Sequence, residues 1–165
     1  MPDIPLNFRT IDYVTDLGIA VRAMRAFVDV EFPTQAGTTV DFDCFVDIGA
    51  PFSVIPFSLW HDRKIRWKRL GSVLTLAGTP SRPVPDALLW QGSSCELGET
   101  QVYLIDPVAR IQTGPHRVMG KFVQQRLRAD LEFAAILGVN FEIENNIRLV
   151  LPGAAGDATG YLSVT

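Results

Sequence analysis

The sequence predicts a mostly β domain, and three observations carry that prediction. Two neighbouring runs alternate apolar and polar residues with a period of two, and a Gly-containing loop joins them, the pattern of an antiparallel hairpin. Gly and Pro, 13 and 11 in number, are scattered along the chain as punctuation between short segments. At 165 residues, 47% apolar and 20% charged, the chain has the size and composition of one globular domain. Such a chain buries roughly 70% of its unfolded surface and needs no metal or disulfide to fold.

The first run places Ala26, Val28, Val30 and Phe32 on one face and Phe27, Asp29 and Glu31 on the other. After the turn Pro33–Gly37, the second run places Val40, Phe42, Cys44 and Val46 against Asp41, Asp43, Phe45 and Asp47. One face of the hairpin is therefore apolar and the other acidic. Further strands are expected at Val73–Leu76, Ala87–Gln91, Thr100–Ile105 and Ile147–Leu151. Met119, Val123, Leu127 and Leu131 recur every four residues, with Phe122 widening the stripe, and predict a helix over Val118–Phe133. Gly120 weakens its first turn. A shorter helix is expected from Val139 to Asn145. No internal repeat is present, and Pro152–Gly156 is the only low-complexity stretch. Residues 1–152 read as a single domain and 153–165 as a C-terminal tail with strand character at Tyr161–Val164.

The 15 Lys and Arg against 18 Asp and Glu give a net charge of -3, which argues against nucleic acid as the main partner. No apolar run approaches the roughly 18 residues of a membrane span. The start, Met1-Pro2-Asp3-Ile4, lacks the basic and apolar stretches of a secretory signal, so a cytoplasmic location is expected. Cys44 and Cys95 are far apart, and with His61 and His116 the only histidines, no metal site is expected.

The most informative segment is Phe45-Val46-Asp47-Ile48-Gly49-Ala50-Pro51-Phe52-Ser53-Val54-Ile55-Pro56. An apolar strand ends in an acid, Gly and Pro force a turn, and an apolar run resumes. A carboxylate so placed is held rigidly at the edge of the core, as acid–base chemistry requires. The same pattern also suits an Asp that does no more than start an Asx-type turn. A second segment, Ala134-Ala135-Ile136-Leu137-Gly138-Val139-Asn140-Phe141, is followed by Ile147–Leu151.

Together the two segments resemble the retropepsin-like aspartic proteases, the single-lobed family that includes retroviral proteases and bacterial relatives. Asp47, Gly49 and Ala50 match that family's Asp-Thr/Ser-Gly-Ala motif. Ile136, Leu137 and Gly138 match its downstream pair of apolar residues plus Gly. The order is right, the spacing is longer than in the compact viral members, and the resemblance covers about Ala26–Leu151. It implies a small closed β barrel of acid-protease type with a flap hairpin, whose tip would be Ala77, Gly78 and Thr79. It also implies a homodimer in which two copies of Asp47 form the catalytic dyad, with Ile48, Gly49 and Ala50 as the active-site loop. Asp157-Ala158-Thr159-Gly160 has neither the spacing nor the preceding strand to supply a second acid. The implied activity is endopeptidase cleavage of a peptide or protein substrate, with no metal or cofactor. In the resembling family the chain ends pair across the dimer, so the resemblance makes Tyr161–Val164 an interfacial strand.

Position 48 departs from the family, with Ile in place of the Thr or Ser whose hydroxyl bonds across the dimer. That departure implies a second reading, a catalytically impaired domain that binds peptides or dimerises without cleaving. Elsewhere, His61–Arg69 holds five Lys or Arg beside Trp60 and Trp67. It reads as a solvated segment with its tryptophans in the core rather than a nucleic-acid track. The acidic face of Asp29, Glu31, Asp41 and Asp43 reads as solvated, and His116 as a loop residue.

Overall fold

A computed structural model describes residues 2–72, 95–126, 135–153 and 159–165. Along the chain run β1 (Asp3–Pro5), β2 (Asn7–Val14), β3 (Ala20–Pro33), β4 (Thr39–Asp47) and β5 (Ser53–Ile55). A short π-helical turn (Ser58–Asp62) then leads to β6 (Trp67–Ser72), β7 (Cys95–Asp106) and β8 (Ile111–Val123). The order ends with β9 (Ala135–Gly138), α1 (Val139–Glu144), β10 (Ile147–Val150) and β11 (Tyr161–Val164). The chain is mostly β, with two short helical segments among the described residues.

The hairpin expected from the alternating runs forms as β3 and β4, paired from Ala26↔Val46 to Pro33↔Thr39. Val28, Val30, Phe32, Cys44 and Val46 are buried on its inner face. Eight strands form one sheet in the order β2-β3-β4-β9-β5-β8-β7-β6. A second pairing, Val30↔Leu104 and Glu31↔Tyr103, joins β3 to β7 and brings the sheet back on itself through six strands. Phe32, Ile55, Leu59, Ile65, Leu104, Phe122 and Leu137 fill the enclosed core. A small sheet, β1-β11-β10, adds Ile4, Leu162 and Ile147 to the same core, and Phe141 of α1 joins them. Tyr161–Val164 is thus the middle strand of an intrachain sheet. Both cysteines are free thiols; burial pushes the Cys44 thiol far up and the half-buried Cys95 thiol up as well.

The helix expected over Val118–Phe133 is corrected. Val118–Val123 continues β8, and residues 127–134 lie outside the described ones. The four-residue spacing of Met119 and Val123 coincides with an equally good period of two. His116, Val118, Gly120 and Phe122 point inward, while Arg117, Met119 and Lys121 are more open. Gly120 is explained by close approach: a Cβ there would lie 2.5 Å from the Ser53 carbonyl oxygen. Its bare Cα lets β5 run parallel beside β8 through the pair Ser53↔Gly120. His116 is likewise a strand residue, buried, with Nε2 2.9 Å from Thr113 Oγ1. The expected strands Val73–Leu76 and Ala87–Gln91 lie outside the described residues. Thr100–Ile105 falls inside β7, Ile147–Val150 forms β10, and the helix expected at 139–145 forms as α1. Among the described residues no helix is long and apolar enough to cross a membrane.

Candidate active site

Asp47 is the last residue of β4. There β9 slips between β4 and β5, parallel to β4 from Cys44↔Ala135 to Asp47↔Gly138 and antiparallel to β5 at Val54↔Ile136. The two segments singled out in the sequence, nearly ninety residues apart, are therefore adjacent strands. A Cβ on Gly138 would sit 2.6 Å from the Ala50 carbonyl oxygen and from the Phe52 carbonyl carbon, so only Gly lets the loop close over β9.

The loop is held from within and from below. The Gly49 amide donates to Asp47 Oδ1 at 2.9 Å, and the Ala50 amide donates to the Asp47 carbonyl at 3.1 Å. This is the Asx-type turn that the sequence left open, and it fixes one carboxylate oxygen. From below, the Val139 amide donates to the Ala50 carbonyl at 2.9 Å. Asp47 is half-buried, and Ile48 beside it is 61% exposed.

A polar bracket that the sequence reading missed ties the loop's far end to β8 and β9. Ser53, fully buried, donates its amide to Asn140 Oδ1 at 3.0 Å. The Gly138 amide donates to Ser53 Oγ at 3.2 Å, and Asn140 Nδ2 donates to the Met119 carbonyl at 2.6 Å. At the other end of α1, Asn145 takes the Arg117 amide at 2.9 Å and donates to the Arg117 carbonyl at 2.7 Å. Both asparagines thus clamp α1 to β8. The available signal was small: a lone polar Ser inside an apolar run, and an Asn two residues after the Gly of the second motif.

Below the loop, Ile48, Glu142, Arg148, Leu149 and Leu151 line an open cleft of about 450 Å³. Glu142 is half-buried there, and desolvation holds its carboxyl above the usual carboxylate range. The flap residues Ala77, Gly78 and Thr79 lie outside the described residues.

The other polar segments sort by contact. Trp67 stacks on Phe122 with ring centroids 4.4 Å apart, and Trp60 Nε1 donates to the Val123 carbonyl at 2.7 Å. Their charged neighbours pair locally, Asp62 with Arg126, Arg69 with Glu96 and Lys68 with Glu99. On the acidic face, Asp29 lies opposite Asp43 and Glu31 opposite Asp41. Partial burial, with Asp43 adding to it, holds the Asp29 carboxyl above its ordinary value. Asn7 Nδ2 donates to Asp29, and Arg9 pairs with Asp43. Among the described residues no cluster of three or more His, Cys, Asp or Glu is arranged to hold a metal ion. In comparisons with known proteins, no protein-family model, no curated protein and no solved structure matches the chain.

Proposed function

We propose that the chain is an aspartic endopeptidase of retropepsin-like type, assembled as a homodimer around two copies of Asp47. The observation that carries this reading is the insertion of β9 between β4 and β5, with Gly138 opposite Asp47. It puts the carboxylate on a rigid turn at the sheet's edge, fastened from both sides, with the side chain half-open. The six-strand ring closed by β3 and β7 is, on this reading, a small acid-protease barrel, and Ala77, Gly78 and Thr79 are its flap.

One chain brings one such acid, so the chemistry needs a second copy. Two carboxylates in contact cannot both ionise cheaply, and the pair holds one proton between them. The ionised member takes a proton from a bound water, which attacks the peptide carbonyl. The protonated member gives its proton to the carbonyl oxygen as the tetrahedral diol forms. The proton taken from water then passes to the leaving nitrogen, and the diol returns a proton to the first carboxylate as the C–N bond breaks. The two titrations belong to the pair rather than to either residue. The substrate is an extended peptide.

The test is cleavage of an unfolded protein at mildly acidic pH by wild type and Asp47→Asn. Cleavage by wild type that the substitution abolishes is the expected result; equal product from both refutes the reading. The exposure of Ile48 favours a second reading, a protease-like module that dimerises or binds peptide without hydrolysis. It lacks a hydroxyl to lock the paired loops and presents an apolar surface beside the acid. Peptide binding that survives Asp47→Asn without any cleavage would select that alternative.

A further inference from the structure

The β2–β3 hairpin is longer than the body that supports it. β4 covers β3 only as far as Ala26↔Val46, whereas β2 pairs with β3 on to Val14↔Ala20. Among the described residues, Ala20–Arg25 have β2 as their only paired strand, and at a strand rise of about 3.4 Å these six residues form a ribbon about 20 Å long. Because β4 ends at Asp47, the ribbon runs on past the carboxylate, in the direction in which β4 delivers it.

This arm carries exposed apolar side chains. Val14 is 75% exposed, Leu17 79% and Met24 68%, and Ile19 and Val21 are exposed too. Opposite residues of an antiparallel pair share a face, so Val14, Ala20 and Met24 lie on one side and Val21 on the other. A two-stranded ribbon alone in water is marginal, and apolar groups on both its faces mark it as a surface meant to be covered.

We infer that the arm is a dimerisation device that lies along the body of a second copy of this chain. This rests on the proposed pairing of two Asp47 carboxylates across a two-fold axis. A twin whose acid meets this one stands just beyond the end of β4, in the path of the ribbon. Symmetry then lays each arm on the other chain. One face of the ribbon, about 20 Å by 10 Å, offers about 200 Å². A two-fold contact covers that area twice with matching partner surface, about 800 Å² in total, and specific interfaces begin near 1,200 Å². Ile48 and Leu151, both exposed near the axis, continue the apolar surface toward that size.

Charge favours a protein occupant over an anionic one. From Arg9 to Arg25 the charges are Arg9, Asp12, Asp16, Arg22 and Arg25; Arg22 is spent on Asp12 at 2.9 Å, Arg9 on Asp43, and Arg25 lies over the Phe45 ring at 4.6 Å. A lipid headgroup surface or a nucleic acid would need free basic residues here.

The test is sedimentation of the full chain over a dilution series, for wild type, Leu17→Asp/Met24→Asp and the milder Leu17→Ser, with far-UV circular dichroism to show the fold is retained. The arm variants should weaken dimerisation at least about tenfold, as loss of one good apolar contact per chain does. A dimer indifferent to both substitutions overturns the proposal and leaves the Asp47 reading standing. A wild type that stays monomeric at the highest concentration overturns both. A dimer weakened by the arm variants in a chain without Asp47-dependent cleavage supports the arm while the protease reading falls. Flotation of wild type with phosphatidylcholine–phosphatidylserine vesicles, lost in the arm variants whose dimer is unchanged, overturns the proposal in favour of a lipid surface.

Discussion

Replacing Asn140 by Ala tests whether the bracket beneath the Asp47 loop carries the weight its geometry implies. The side chain makes two good hydrogen bonds, accepting from the Ser53 amide at 3.0 Å and donating to the Met119 carbonyl at 2.6 Å. Ser53 is fully buried, so its amide has no water to turn to, and leaving it unpaired costs about 1–3 kcal/mol. Met119 is only half-buried, so its carbonyl loses a net bond of about 0.5–1.5 kcal/mol. The expected loss is about 2–4 kcal/mol, a large part of the roughly 5–15 kcal/mol that holds an ordinary domain together. With a urea slope of about 2 kcal/mol/M, the midpoint should fall by about 1–2 M at unchanged slope. Asn145→Ala is the control: its bonds to Arg117 lie at an exposed edge that water can satisfy, so about 1 kcal/mol is expected. Urea melts that find Asn140→Ala no more costly than Asn145→Ala would refute the reasoning.

Two further predictions concern the sheet. Gly120→Ala forces a Cβ against the Ser53 backbone at 2.5 Å and should destabilise by about 3 kcal/mol or prevent folding. Gly71→Ala meets nothing within 4 Å and should stay within about 0.5 kcal/mol; thermal melts of equal midpoint for the two variants would contradict this account. Asp29→Asn removes a like-charge cross-strand pair with Asp43 and should stabilise by about 0.2–1 kcal/mol at neutral pH. The folded-state carboxyl is raised, so folded wild type binds its proton more readily than unfolded chain, and its stability rises as pH falls. The advantage of Asn is therefore largest above the raised value and fades as pH drops to the ordinary carboxylate range. Denaturation across that pH range that shows a constant or growing advantage would be the wrong sign.

The β3–β4 hairpin was legible because one of its faces meets the core, and core burial is what writes a period of two into a strand. The Asp47 turn was legible for a similar reason, since Gly49, Ala50 and Pro51 serve the chain locally. The arm was not, because neither of its faces is buried in the chain's own core and its residues follow no period. The helix expected at 118–133 failed where Met119 and Val123 satisfied two periodicities at once, and Gly120 read as a helix weakener when its role is to admit β5. Ser53 and Asn140 stand 87 positions apart, and their partnership exists only after β9 has entered between β4 and β5. Side chains whose purpose is long-range attachment leave little local trace, here a lone polar Ser in an apolar run and an Asn two residues after Gly138.

The small sheet has a consequence for how the molecule is made. Asp3–Pro5 is synthesised well before its neighbour Tyr161–Val164, and β10 waits for the same strand. Ile4 is fully buried only once that late arrival is in place. Contacts at such separation are slow to close. During translation β1 must remain open until Tyr161–Val164 has emerged, so a nascent chain stalled before Tyr161 has no native place to put it.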